Sequence, residues 1–384
     1  MFPSPVLNWL LAGLALLAPL AQAQYSLTHP RGRVELEARL RTAWHHRWLF
    51  PGDEDHNKDR FYVESARLKF SGQQYRFRLA WELQLELRGH NGLERETGQE
   101  QDHQGLEARD LHLSWLPSDQ LTLRMGQQKV PYGRKQLIPE HAQSIVRRPE
   151  VVNDFLPGRD RGLLLRARTP VRDWTGWLGV FTGNGENHKY DDPAGRPLYA
   201  ARLEWAPLGE LGGEEGDFSH SKRLRVLAGV NLAQSRDKAP ALEDPRDYLR
   251  TIDGEKLLYG GDFSAKWRGW QGTLEFDHAR LRPDSGDGYR AGGYMAQLQY
   301  AWRLPWNALA GWVLEPVVAY DEFNPNHRRA DDTMRGLTTG INLLPDGHDF
   351  KIMLDWLHRF KLREGDANPW KEDELRLLVQ LRVL

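Results

Sequence analysis

Residues 75–88 read Tyr-Arg-Phe-Arg-Leu-Ala-Trp-Glu-Leu-Gln-Leu-Glu-Leu-Arg, with apolar side chains at every second position. Tyr75, Phe77, Leu79, Trp81, Leu83, Leu85 and Leu87 share one face, while Arg76, Arg78, Glu82, Gln84, Glu86 and Arg88 share the other. Only a β-strand divides the residues this way; a helix would scatter the apolar set around its circumference. The device recurs at 33–45, where Val34, Leu36, Ala38, Leu40 and Trp44 oppose Arg33, Glu35, Glu37, Arg39 and Arg41. Further strands are expected at about 61–71, 106–115, 121–126, 162–169, 174–181, 198–205 and 223–233. The series continues at 258–267, 270–279, 293–303, 312–321, 335–343, 350–360 and 374–384, sixteen expected strands in all.

The connections carry a second rhythm. Short links fall at 71–74, 116–120, 170–173, 268–269, 304–311 and 344–349. Long polar ones fall between them at 46–60, 89–105, 127–161, 182–197, 234–257, 280–292, 322–334 and 361–373. The Gly- and Glu-rich stretch 206–222 breaks this rule, because it should be short. Short turns at one end and long loops at the other are what an all-β, antiparallel up-and-down barrel of the outer membrane has. A sandwich would need two domains to hold sixteen amphipathic strands, and nothing divides the chain. A propeller would repeat every ~40–50 residues, which this chain does not. One closed barrel also leaves no sheet edge open to lipid.

Composition fits that reading. The chain holds 15 Trp, 12 Tyr and 13 Phe beside 27% charged residues, more than one apolar core could reconcile. A barrel places aromatics in lipid-facing girdles and charges in the lumen. Trp44, Trp81, Trp115, Trp205, Trp267, Trp270 and Trp302 fall near expected strand ends. The final stretch continues the pattern, with Leu375, Leu377, Val379, Leu381 and Val383 alternating with Arg376, Gln380 and Arg382.

At the amino terminus, an apolar run over 6–17 is followed by Pro19 and by Ala21-Gln22-Ala23, a small-x-small cleavage pattern. The run is too short to span a ~30 Å hydrocarbon core. Residues 1–23 are therefore expected to be a cleaved export segment, and 24–384 a single barrel of a Gram-negative outer membrane.

The stretch 121–137 reads Leu-Thr-Leu-Arg-Met-Gly-Gln-Gln-Lys-Val-Pro-Tyr-Gly-Arg-Lys-Gln-Leu. With Gly126, Lys129, Pro131 and Gly133 it resembles the strand and loop opening of the phosphate-selective porin O and P family. Gly158-Arg159-Asp160-Arg161-Gly162 resembles that family's return strand, and Val180-Phe181-Thr182-Gly183-Asn184-Gly185-Glu186-Asn187 its next strand and loop. The resemblance covers essentially the whole mature chain. It implies a 16-stranded barrel, assembled as a homotrimer, whose third loop (127–161) folds inward to narrow a water-filled channel. It also implies passive diffusion of small anions, phosphate or polyphosphate among them. The constriction Lys cluster of the best-known members has no counterpart in this Lys-poor chain.

Alternation assigns the lumen face strand by strand. Its cations are Arg39, Arg41, Arg67, Lys69, Arg76, Arg78, Arg124, Arg166, Arg168, Arg223, Arg225 and Lys266. Its acids are Glu35, Glu37, Glu82, Glu86, Asp110, Glu204, Glu275 and Asp277. Arg67 with Lys69, Arg166 with Arg168, and Arg223 with Arg225 form one-sided rows that would attract anions. Arg suits an oxyanion because its planar fork donates two hydrogen bonds at once. The third loop adds Lys129, Arg134, Lys135, Arg147, Arg148, Arg159 and Arg161 against Glu140, Glu150, Asp154 and Asp160. These cations line an anion-preferring pore, or they pair with acids on the wall and only anchor the loop.

Net charge is −1 and there is no cysteine, so bulk charge selects no nucleic-acid partner and thiol chemistry is excluded. The histidines lack metal-ligand spacing, Asp284-Ser285-Gly286-Asp287-Gly288 lacks the remaining calcium ligands, and no phosphate-binding glycine loop is present. No cofactor is expected; the partners are small anionic solutes and outer-membrane lipid. Other readings are a general diffusion pore without anion preference, a lipid hydrolase using His278 or His358 near the rim, and a closed adhesion barrel.

Overall fold

The computed structural model describes residues 25–50, 58–88, 105–155, 157–169, 173–187, 197–237, 252–329, 332–361 and 371–383. The stretch 1–23, with its expected cleavage site, lies outside the described residues. Eighteen strands among the described residues form one sheet. They are β1 (Tyr25–His29), β2 (Gly32–Phe50), β3 (Lys58–Gln74), β4 (Leu79–Arg88), β5 (Gly105–Trp115) and β6 (Leu121–Lys129). Next come β7 (Arg159–Arg168), β8 (Trp174–Phe181), β9 (Leu198–Trp205), β10 (Arg225–Asp237), β11 (Gly254–Trp267) and β12 (Trp270–Pro283). The last are β13 (Tyr289–Tyr300), β14 (Trp302–Arg303), β15 (Val313–Asn324), β16 (Met334–Asp346), β17 (Phe350–Lys361) and β18 (Lys371–Arg382).

Each strand pairs antiparallel with its sequence neighbour, and β18 returns to β2 from Lys371↔Phe50 to Arg382↔Arg39, which closes the ring. β14 prolongs β13 past Ala301 along β15. β1 pairs with the start of β2, from Tyr25↔Leu36 to His29↔Gly32, on the edge that β18 covers further along. Sixteen strands thus form the barrel wall, the number and order expected from the sequence.

The wall sorts its side chains by phase. Leu111, Leu113 and Trp115 are exposed outward, whereas Asp110 and Ser114 are buried on the inside. An Arg or Lys on the lipid side would cost ~2–4 kcal/mol at mid-bilayer, which keeps charge on the inner phase. Trp81, Trp115, Trp205, Trp267, Trp270 and Trp302 are exposed near the short-turn end, and Trp174 stacks on Trp205 at 5.6 Å.

The structure moves the first short turn from 71–74, which lies inside β3, to 75–78. Alternation runs from Tyr75, but the chain turns over 75–78 and β4 begins at Leu79. The Phe77 amide donates to Gln74 Oε1 (2.8 Å), the Arg78 amide donates to the Tyr75 carbonyl (3.2 Å), and Arg78 takes a φ of 53°.

Two segments occupy the interior. The segment 130–158 enters from the long-loop end and carries the helix Arg134–Leu137, a 3-10 turn Glu140–Ala142 and the helix Glu150–Phe155. Its Val130, Tyr132, Val151, Val152 and Phe155 pack on Leu164, Phe181, Leu281, Met295 and Phe323 of the inner wall. Each such side chain contributes roughly 1.5–3 kcal/mol by leaving water. The segment 206–224, too long for a turn, folds in from the opposite end. There the Glu215 amide donates to the Ala142 carbonyl (2.9 Å), and Arg134 donates to the Gly212 carbonyl (2.9 Å).

Candidate functional site

The two segments fill one side of the lumen. On the other side, between segment 130–158 and the wall from β18 through β2 to β8, lies a polar cavity of about 500 Å³. Its lining holds eight cations, Arg39, Arg67, Lys69, Arg124, Lys129, Arg148, Arg159 and Arg382, against five acids, Glu37, Glu82, Asp110, Glu140 and Glu214. His112, His141 and Trp177 complete much of the remainder.

Most of these cations are already paired. Arg39 pairs with Glu37 and with Asp349 (3.3 Å), and Lys69 with Glu82 (3.0 Å). Arg159 grips Asp110 through two hydrogen bonds of 3.1 and 3.0 Å. Arg382 joins Glu37 (2.9 Å) and Asp349 (2.7 Å). Lys129 donates to the carbonyls of Gln136 (2.7 Å), Leu137 (3.1 Å) and Ile138 (3.4 Å), tying the wall to the inner segment. Arg124 donates to the Ser114 hydroxyl (3.2 Å), and Arg166 lies over the Trp177 ring at 5.7 Å.

Glu140 is the hub. It accepts from Arg67, and the guanidiniums of Arg148 (3.4 Å), Arg41 (3.7 Å) and Arg109 (3.9 Å) surround it. Burial pushes its carboxyl up, but Arg67, Arg148, Arg109 and Arg41 outweigh that and hold it well below the usual carboxylate range. Behind it, Glu86 pairs with Arg67 (2.6 Å) and Arg109 (3.0 Å), and Arg41 pairs with Glu64 (3.2 Å).

Arg109 was missed by counting, since strict alternation puts it on the lipid phase. Register slips between Gln84 and Leu85, where Gln84 faces Asp110 but Leu85 faces Ala108. This bulge turns Arg109 inward, 5% exposed. The signal was that Glu107 and Arg109 put two charges on the phase that Leu111, Leu113 and Trp115 keep apolar. Glu140 carried no comparable mark, because the inner segment has no period.

Several residues expected to line the pore do not. Arg76 and Arg78 lie in the exposed turn 75–78, where Arg78 donates to the Pro117 carbonyl (2.7 Å) and pairs with Asp119 (3.3 Å). Arg223 is exposed in the connection before β10, which starts only at Arg225. Arg225 reaches the Glu210 carbonyl (3.4 Å) and Arg168 pairs with Glu210, both at the short-turn rim. Arg134 and Lys135 face the filled side; Lys135 is fully buried, paired with Glu215 and bonded to Gln297 (2.7 Å). Arg147 points to Tyr62 and Glu374 on the wall. These three hold the inner segment in place. Among the described residues, no three His, Asp or Glu side chains group as a metal site.

A family model described as phosphate-selective porin O and P matches residues 38–383. The chain is 22% identical over 350 residues to an uncharacterized protein of Aquifex aeolicus, covering 84% of this chain and 81% of that one. Among solved structures it is similar to the trimer form of in-vitro folded OmpT, an outer membrane protein of Vibrio cholerae. There the TM-score is 0.58 at 12% identity, covering 92% of this chain and 99% of that one. The outer membrane channel DcaP of Acinetobacter baumannii gives a TM-score of 0.57 at 10% identity, with 92% and 98% covered. An anion-selective porin from Comamonas acidovorans gives 0.53 at 13% identity, with 91% and 99% covered.

Proposed function

The chain belongs to the phosphate-selective porin O and P family, and from that membership we propose that this outer-membrane porin conducts small anions by passive diffusion. It is a channel rather than an enzyme. The observation that carries the anion reading is the cavity lining, eight Arg and Lys against five Asp and Glu. Such an excess in a low-dielectric passage raises the local concentration of anions and repels cations. Two structural relatives, described as a trimer form and as an anion-selective porin, agree with a homotrimer and with this polarity. Export through cleavage after Ala23, and outer-membrane lipid around the apolar face, complete the reading. It stops at small anions, because no Lys cluster of the phosphate-selecting kind is present among the cavity residues.

A second reading, a near-neutral diffusion pore, is favoured by the pairing of Arg39, Arg67, Lys69, Arg148, Arg159 and Arg382 with carboxylates. Single-channel recording in planar bilayers under a salt gradient separates the two. A reversal potential of anion-preferring sign is expected. Zero selectivity would establish the second reading, and cation preference would discard the first outright.

A further inference from the structure

We propose that the guanidiniums of Arg41, Arg67, Arg109 and Arg148 form an oxyanion site whose resting occupant is the Glu140 carboxylate, a tethered competitor for the ions that pass. This deepens the anion-pore reading and rests on it. Four guanidiniums converge within 3.9 Å of one carboxylate that borders the cavity with 30% of its side chain exposed. Three of them are fixed to the wall by other acids: Arg41 by Glu64, Arg67 by Glu86, and Arg109 by Glu86 and Glu186. Arg148 is held by the carbonyls of Lys135 (3.2 Å) and Ile138 (3.3 Å). Their positions therefore do not depend on Glu140, and taking it away leaves a preformed cage.

The cage is suited to an oxyanion. Planar guanidinium forks match the oxygens of carboxylate and phosphate, and charge-assisted bonds of this kind are about twice as strong as neutral ones. A carboxylate offers two oxygens to four guanidiniums, whereas inorganic phosphate offers four and more charge. Glu140 hangs from the wall-facing turn Glu140–Ala142, so it competes at a fixed effective concentration and keeps a passing anion from being held too long. A pore conducts only where binding is weak enough to permit exit.

The test is the chloride conductance of single channels of the full protein, titrated with inorganic phosphate, for wild type and Glu140→Gln. Phosphate should half-block the variant at a concentration about tenfold lower than wild type. Adding Arg148→Gln to the variant should restore the wild-type sensitivity. Equal phosphate sensitivity of wild type and Glu140→Gln overturns the proposal. If Glu140→Gln inserts no channels, Glu140→Asp, shorter by one methylene, should shift the block in the same direction, and no shift there overturns it equally. Wild-type cation preference would instead sink the underlying anion reading, whereas an anion-preferring wild type with an unresponsive variant sinks this inference alone.

Discussion

Lys135 and Glu215, separated by 80 positions in the chain, form an ion pair in the middle of the barrel with neither side chain exposed at all. One comes from the segment entering at the long-loop mouth and the other from the segment entering at the opposite mouth. Glu215 also accepts from the Ser144 amide (2.7 Å) and Gln297 (2.9 Å), so it clasps the two together. Removing one partner of a buried pair leaves an uncompensated charge, at a cost of about 3–5 kcal/mol. Glu215→Ala should therefore lower the urea midpoint of the folded barrel and raise single-channel conductance as the filled side loosens. Unchanged conductance would show that the clasp does not set the open cross-section.

Gly126 has a φ of 129°, and a Cβ there would press on the Leu111 carbonyl across the strand pair. Gly126→Ala should cost about 1–3 kcal/mol from backbone strain alone, with the steric clash added. Gly176 has ordinary backbone angles and only loose neighbours at 3.8 and 4.0 Å, so Gly176→Ala should be tolerated. Loss of the compact, heat-modifiable band on gels reads both. Equal behaviour of the two variants would contradict the geometry.

Charges at the rim should matter less than charges in the cavity. Arg76, Arg78 and Arg223 stand in exposed turns, where salt screens them within a Debye length of about 8 Å. Changing all three to Gln should leave the reversal potential nearly unchanged. Changing Lys69 and Arg124 to Gln should move it toward zero. The reverse ranking would place the selective region at the mouth.

Glu140 makes a statement about pH. Its stabilising contribution is fully present above its unfolded value, near 4.5, and is lost only as pH falls through its much lower folded value. The stability difference between wild type and Glu140→Gln should hold constant from neutral pH down to about 4.5 and shrink below. Unfolding titrations at stepped pH measure it. A difference that fades between about pH 7 and pH 5 would mean that the guanidiniums do not hold this carboxyl.

The wall was legible in the sequence because lipid and water impose a period of two that no other element shares. Legibility failed where that period broke or ran on too far. Tyr75 and Phe77 keep the alternation through a turn, and only the Gln74 side chain and the positive φ of Arg78 mark the reversal. Arg109 changes face at a bulge that alternation cannot anticipate. Within the lumen, Lys69 and Arg124 followed from phase, but Lys135 and Arg147 could not be told from pore-lining residues, since their acids, Glu215 in the segment 206–224 and Glu374 on β18, lie far along the chain. The stretch 206–222 stood out as too long, yet nothing in its composition revealed that Glu215 reaches Lys135.

The seam between β2 and β18 joins the first and last strands of the wall through a continuous register from Lys371↔Phe50 to Arg382↔Arg39. Until those last residues arrive, both rims of the sheet present unpaired amides and carbonyls, each costing several kcal/mol in hydrocarbon. A nascent polypeptide interrupted before Lys371 is therefore not a narrower conduit but an object the bilayer rejects. Completion is all or nothing: the wall is whole only when the strand Lys371–Arg382 has paired with β2.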